Sequence, residues 1–232
     1  MIRLAIIVPA LNEAGNIRRL VERIPHDAAH SLEIIVVDNG STDGTGAEAQ
    51  AAGAKVIHEP RRGYGYACTA GVNAAQKADV IIFLDADGSF DPGQIPLLLA
   101  PIVDGRVDLV LGTRMKGGLL PGAMPWHQYV GNRMVAGLIR LLHHVQISDL
   151  GPFRAIRVPL LETLNIRERT FGYPTEIIVK AAQHHARVVE VPVSYGKRWS
   201  GKSKVSGTIR GTLLATYCIF RITFHWEIQK RD

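Results

Sequence analysis

The sequence predicts an α/β fold, a mostly parallel central sheet with helices on both faces, and three observations predict it. Short β-branched runs recur along the chain, segments of helical spacing separate them, and the runs are apolar almost throughout rather than alternating. A strand that is apolar on both sides needs cover on both, which parallel strands joined by helical crossovers receive. The candidate strands are 3–8, 33–37, 54–58, 80–84 and 107–111, and the helical segments between them are 14–24, 45–52, 65–77 and 94–103. Helix starts are marked locally: Asn12 or Glu13 precedes the first, Asp43 the second, and Asp91-Pro92 the fourth, with Pro in its first turn.

At 232 residues and 47% hydrophobic content the chain can bury a full sheet-and-helix core, and no internal repeat or low-complexity linker divides it. The net charge is +6 with a sequence pI near 9.5. That excess is uneven. Lys197, Arg198, Lys202, Lys204 and Arg210 follow one another with no acid among them. Such a cluster suits phosphate groups or an anionic membrane surface, or is an ordinary solvated segment; with few interleaved aromatics it argues against nucleic acid as a partner. Cys68 and Cys218 stand far apart in apolar or small-residue surroundings, so neither a disulfide framework nor a thiolate metal site follows, and a reducing cytoplasmic setting fits. The apolar start of the chain is too short for a signal peptide and reads as the first strand.

The chemistry concentrates at strand ends. The fourth strand runs into Leu84-Asp85-Ala86-Asp87, two carboxylates one residue apart at the end of a buried run. Something must offset that charge, and a divalent cation holding a phosphorylated ligand does so. A strand-ending turn at Gly88 is the plainer reading of the pair. The first strand ends in Pro9-Ala10-Leu11-Asn12-Glu13 and the second in Asp38-Asn39-Gly40-Ser41-Thr42-Asp43. In an open α/β sheet all three ends converge on one edge, where ligands bind. Asp38, directly at a strand end, can accept a hydrogen bond from a nucleobase N–H. Capping accounts equally for Asp43, and a dipole-favoured first-turn position for Glu13.

In order along the chain stand Val8-Pro9-Ala10-Leu11-Asn12-Glu13, Val36-Val37-Asp38-Asn39-Gly40-Ser41-Thr42-Asp43, Phe83-Leu84-Asp85-Ala86-Asp87 and Gly112-Thr113-Arg114, then Asp149-Leu150-Gly151-Pro152-Phe153-Arg154-Ala155 and Gly201-Lys202-Ser203-Lys204. This series, over about residues 2 to 207, resembles the family 2 glycosyltransferases of the GT-A fold, near the dolichyl-phosphate mannose and glucose synthase branch. The resemblance implies a Rossmann-like GT-A catalytic domain over residues 1–207. The activity it implies is inverting, metal-dependent transfer of a hexose from a UDP- or GDP-linked sugar donor to a polyprenyl phosphate or similar acceptor. Pro9, Leu11 and Glu13 would line the base and ribose pocket, and Asp38 would recognise the base. Asp85 and Asp87 would hold Mg2+ or Mn2+, Asp87 the more directly, and Asp85 would lie near the ribose or the metal's water shell. A third polar ligand falls at Ser89, whose role stays open.

Arg114 and Arg133 are candidates to grip the diphosphate, since a guanidinium meets phosphate oxygens in pairs; Arg133 reads equally as a surface helix residue. Asp149 would face the acceptor as base or orienting group, with Glu176 the competing candidate. Because a phosphate acceptor is already ionised, alignment is the expected role. The stretch from Tyr195 to Lys204 has the makings of a phosphate-gripping loop, with Arg198, Lys202, Ser203 and Lys204 as donors and glycines that let it rearrange. Trp199 beside them suits a lipid interface or a packed position.

Residues 208–232 read as an apolar helix interrupted by Arg221 and His225, shorter than the roughly 20 apolar residues that span a bilayer. It suits a helix lying in a membrane interface, which makes the protein peripheral at the cytoplasmic membrane face or bound to a membrane-anchored partner. Packing on the core or on a second subunit is the alternative, so a homo-oligomer stays open. The other function class is a non-catalytic nucleotide-sugar-binding or regulatory module. A dehydrogenase is disfavoured, because the first strand is not followed by a glycine-rich dinucleotide fingerprint.

Overall fold

The computed structural model describes residues 1–26, 30–201 and 221–223. In chain order the elements are β1 (Ile2–Ala10), α1 (Ala14–Glu22), β2 (His30–Asp38), α2 (Thr45–Ala51), β3 (Lys55–His58), α3 (Tyr64–Ala74), β4 (Val80–Phe83), a 3-10 turn (Pro92–Gln94), α4 (Ile95–Val103), β5 (Leu109–Thr113), α5 (Trp126–His143), β6 (Arg154–Arg157), α6 (Val158–Leu164), α7 (Tyr173–Gln183) and β7 (Val188–Pro192). The strands form one seven-stranded sheet in the order β3-β2-β1-β4-β6-β5-β7. β1 pairs in parallel with β2 and β4, β2 with β3, and β5 with β7, while β6 runs antiparallel to both β4 and β5.

The β1 run explains the two-sided cover. Ile6 and Val8 point to one face, where they pack with Ile17 and Leu20 of α1 and with Leu98 and Ile102 of α4. Ala5 and Ile7 point to the other, with Ala67 and Cys68 of α3, Ile139 of α5 and Ile177 of α7. Each such side chain taken out of water contributes about 1.5–3 kcal/mol before entropy is subtracted. Gly71 lets α3 lie close on the sheet, because a Cβ there would come within 2.4 Å of Ile7.

The first four predicted strands and all four predicted helices are present, with ends shifted by a few residues. The fifth strand begins at Leu109 rather than at 107 and runs to Thr113, where pairing with β7 sets its bounds. β6, the one antiparallel strand, escapes a reading based on apolar runs because arginines begin and end its four residues. Arg154 is nonetheless 1% exposed. Its guanidinium donates to the carbonyls of Gly151, Pro152 and Pro174, which satisfies a charge inside the sheet without a carboxylate. Most of the region 208–232 lies outside the described residues. Within it, residues 221–223 are helical, Ile222 packs against Gly172, and the Thr223 carbonyl lies 3.2 Å from His143 Nε2.

Candidate active site

Because β2, β1 and β4 are neighbours and parallel, their carboxyl ends share one rim of the sheet. Hydrogen bonds stitch the loops there. Asn12, at φ 51°, donates its backbone N–H to Ser41 Oγ (2.9 Å) and accepts from the Thr42 N–H (2.8 Å). The Glu13 N–H donates to Thr45 Oγ1 at 2.8 Å. Asn39 ties in a third loop: its amide donates to the carbonyls of Glu59 and Arg61 and accepts from the Gly63 N–H. Asp38 is buried, accepts from the Ser41 N–H (2.8 Å) and lies 3.4 Å from His58 Nδ1. A cavity of about 680 Å³ opens beside it, lined among others by Thr45, Lys55 and His58.

Asp85 and Asp87 leave β4 on the same rim. Asp87 accepts from the N–H and hydroxyl of Ser89, so Ser89 fixes the carboxylate. Asp85 accepts from the Tyr64 hydroxyl at 3.2 Å. Burial, followed by the charge of Asp87, pushes the Asp85 carboxyl up to about 7. Asp85 and Asp87 are both partly buried, Asp85 with only a hydroxyl as its hydrogen-bond donor, and their hard oxygens suit Mg2+ or Mn2+. Among the described residues no three His, Cys, Asp or Glu side chains form a metal cage. Asp85 and Asp87 are the residues that would hold such a cation.

The segment 195–200 straps this rim. The Gly196 N–H donates to the Ser89 carbonyl (2.8 Å), the Trp199 N–H to the Asp87 carbonyl (3.0 Å) and the Ser200 hydroxyl to Asn16 (2.8 Å). Arg198 spans the two acidic loops, with Nη1 3.1 Å from Glu13 Oε1 and Nη2 3.0 Å from Asp87 Oδ2. The Trp199 ring lies on Gly88, where a Cβ would come within 2.1 Å of it, and the Arg19 guanidinium stacks 4.2 Å from its centroid. Trp199 is thus a packed aromatic.

On the far side of β4, Arg114 follows β5 and grips buried Asp149 with Nε (2.9 Å), Nη2 (2.7 Å) and its backbone N–H (2.7 Å). Asn132 of α5 adds a fourth bond at 2.8 Å. Burial works to raise the Asp149 carboxyl, but the Arg114 hydrogen bonds and charge outweigh it and hold it below the usual carboxylate range. Such a carboxylate orients; it is a poor proton acceptor.

Residues 5–164 match the family described as Glycosyl transferase family 2. The chain belongs to that family. An uncharacterized glycosyltransferase of Mycobacterium tuberculosis is 40% identical to this glycosyltransferase over 217 residues, covering 94% of this chain and 96% of that protein. The undecaprenyl-phosphate mannosyltransferase of Micrococcus luteus is 30% identical (97% and 96% covered), and the polyprenol monophosphomannose synthase of Mycolicibacterium smegmatis is 32% identical (89% and 82% covered). Glucosyl-3-phosphoglycerate synthase of Mycobacterium tuberculosis, solved with Mn2+, UDP and glucosyl-3-phosphoglycerate, superposes with a TM-score of 0.75 at 22% identity, over 95% of this chain and 78% of that one. The fold is of the GT-A kind.

In this glycosyltransferase the structure brings Glu13, Asp87 and Arg198 into contact, sets Asp85 beside them, and carries Pro9, Leu11 and Asp38 to the same rim. Arg114 is committed to Asp149. Arg133 is exposed on α5, its guanidinium 5.8 Å from the Tyr129 ring centroid. Glu176 is buried in the first turn of α7, where it accepts from the N–H groups of Arg167 and Glu168 and pairs with Lys180 at 2.8 Å. That geometry organises the 166–170 loop. Lys202, Ser203 and Lys204 lie outside the described residues. Sequence reasoning missed Asn39, Tyr64, Asn132 and Glu190, the last of which accepts from the N–H groups of Ser148 and Asp149. Neutral amides and a lone Tyr carry no charge pattern; Asn132 could have been found only through the Gly131-Asn132-Arg133 triplet, where the charged neighbour drew the attention.

Proposed function

We propose that this family 2 glycosyltransferase is an inverting, divalent-metal-dependent hexosyltransferase that uses a UDP- or GDP-linked sugar and a polyprenyl phosphate or similar acceptor, with catalysis in residues 1–207. The observation that carries the reading is the partly buried acid pair Asp85 and Asp87 at one rim, with Asp87 facing Glu13 across the Arg198 guanidinium. Asp85 and Asp87 would hold Mg2+ or Mn2+, which as a Lewis acid stabilises the charge developing on the departing diphosphate. Arg198 is placed to shift its hydrogen bonds from Glu13 and Asp87 to diphosphate oxygens. Asp38, beside its cavity, would accept from the base, and Pro9 and Leu11 would flank it.

The transfer is a single displacement. An acceptor oxygen forms a bond to the anomeric carbon while the bond from that carbon to the diphosphate oxygen breaks, and the electron pair leaves with the nucleoside diphosphate. An ionised phosphate acceptor needs no base, which agrees with an Asp149 held ionised and locked by Arg114 and Asn132. The polyprenol-linked relatives support a lipid phosphate acceptor.

The test is donor turnover by the full chain with UDP- and GDP-sugars and Mn2+, for the native enzyme and for Asp87→Ala. Sugar release by the native enzyme, reduced at least about a hundredfold in the variant, is expected. Tight nucleotide binding with no sugar ever released would instead assign a non-catalytic binding module.

A further inference from the structure

Of the eight most exposed large hydrophobic side chains among the described residues, four ride on α5: Trp126, Val130, Met134 and Leu141, from 52% to 77% exposed. At helical spacing they fall within an arc of about 80°. Val135, Ala136, Ile139 and His143 are buried on the opposite side. Within that arc, a Cβ at Gly137 would meet nothing within 4 Å. Single exposed apolar residues are ordinary, whereas a stripe of this length on one face marks an interaction surface. The charge is as one-sided as the hydropathy. α5 holds no Asp or Glu, and exposed Arg133 and Arg140 flank the stripe along one edge.

We infer that this face of α5 docks the protein on an anionic phospholipid bilayer, with the four apolar side chains entering the headgroup boundary and Arg133 and Arg140 meeting lipid phosphates. An apolar arc beside cations, free of acids and with Trp at one end, is the pattern of a helix lying in the membrane interface. A second copy of the chain fits less well, because a two-fold contact sets a surface against itself and would oppose like-charged arginines with no acid on either helix. The inner side of the same helix carries Asn132, which bonds Asp149 and the Leu150 N–H. Docking through α5 therefore fixes the height of the Asp149 loop above the lipid surface. The inference deepens the reading above, from which it takes the lipid-linked acceptor; the face itself is argued from its own residues.

The test is co-sedimentation of the full chain with phosphatidylcholine vesicles made with and without phosphatidylglycerol. The proteins compared are the native chain, Met134→Ser/Leu141→Ser and Arg140→Glu, all changed at exposed positions and checked for folding by circular dichroism. Expected is binding that needs phosphatidylglycerol, weakens with salt, and falls about tenfold in each variant. Failure of the native chain to bind such vesicles would overturn the inference. Undiminished binding by the apolar variant would move the docking surface off α5. A concentration-dependent dimer that the apolar variant abolishes, without vesicle binding, would assign the face to self-association. Donor turnover in solution is read on the same preparations, so loss of the catalytic reading and loss of the docking face register separately.

Discussion

Glu59 supports the rim with its backbone and its side chain at once. Its N–H donates to the Asp38 carbonyl, its carbonyl accepts from Asn39, and its carboxylate accepts from the Arg61 N–H, Nε and Nη2. The Arg61 hydrogen bonds hold the Glu59 carboxyl down at about 2, against an ordinary 4.5. The folded state therefore binds this proton less readily than the unfolded chain. The stabilisation is complete above pH 4.5 and is lost as the pH falls toward 2. Denaturant midpoints measured across that window should fall more steeply for the native protein than for Glu59→Gln, and parallel slopes would contradict the assignment. Among the acids, Asp85 and Asp87 were legible in the sequence because they interrupt an apolar run. Asn39 was not, since an amide that binds backbone leaves no charge signature.

The strap over the site depends on Gly88. At φ 74° and pressed by Trp199, that position admits no side chain without displacing the ring. Gly88→Ala should lift the 195–200 segment, break the Arg198 contacts to Glu13 and Asp87, and raise the donor KM about tenfold with the sheet intact. In a Trp126→Phe/Trp226→Phe background, quenching of the remaining Trp199 fluorescence by a soluble quencher should increase and reads the displacement. The elements before residue 104 were legible because their strands carry short apolar, β-branched runs and their helices bury one face. α5 was not, because its outer face is apolar as well and its spacing shows no single buried side. β7 was missed for a related reason: Glu190 stands in the middle of its apolar run, where it holds the Ser148 and Asp149 N–H groups.

Parallel pairing of β1, β2 and β4 gathers the sequence-distant motifs at one rim, and the antiparallel β6 carries the Asp149 loop in from the other side of β4. Among the described residues no helix is long and apolar enough to cross a membrane. In the proposed function Asp85 and Asp87 bind a nucleoside diphosphate through a divalent cation. Calorimetric titration of UDP and GDP into the full chain, with Mn2+ and then with the metal chelated, tests it most directly, run beside Asp87→Ala. Expected is binding of one of the two nucleotides that requires Mn2+ and is lost in the variant while its circular dichroism spectrum is unchanged. Equal affinity with the metal chelated, or undiminished binding by Asp87→Ala, would contradict it.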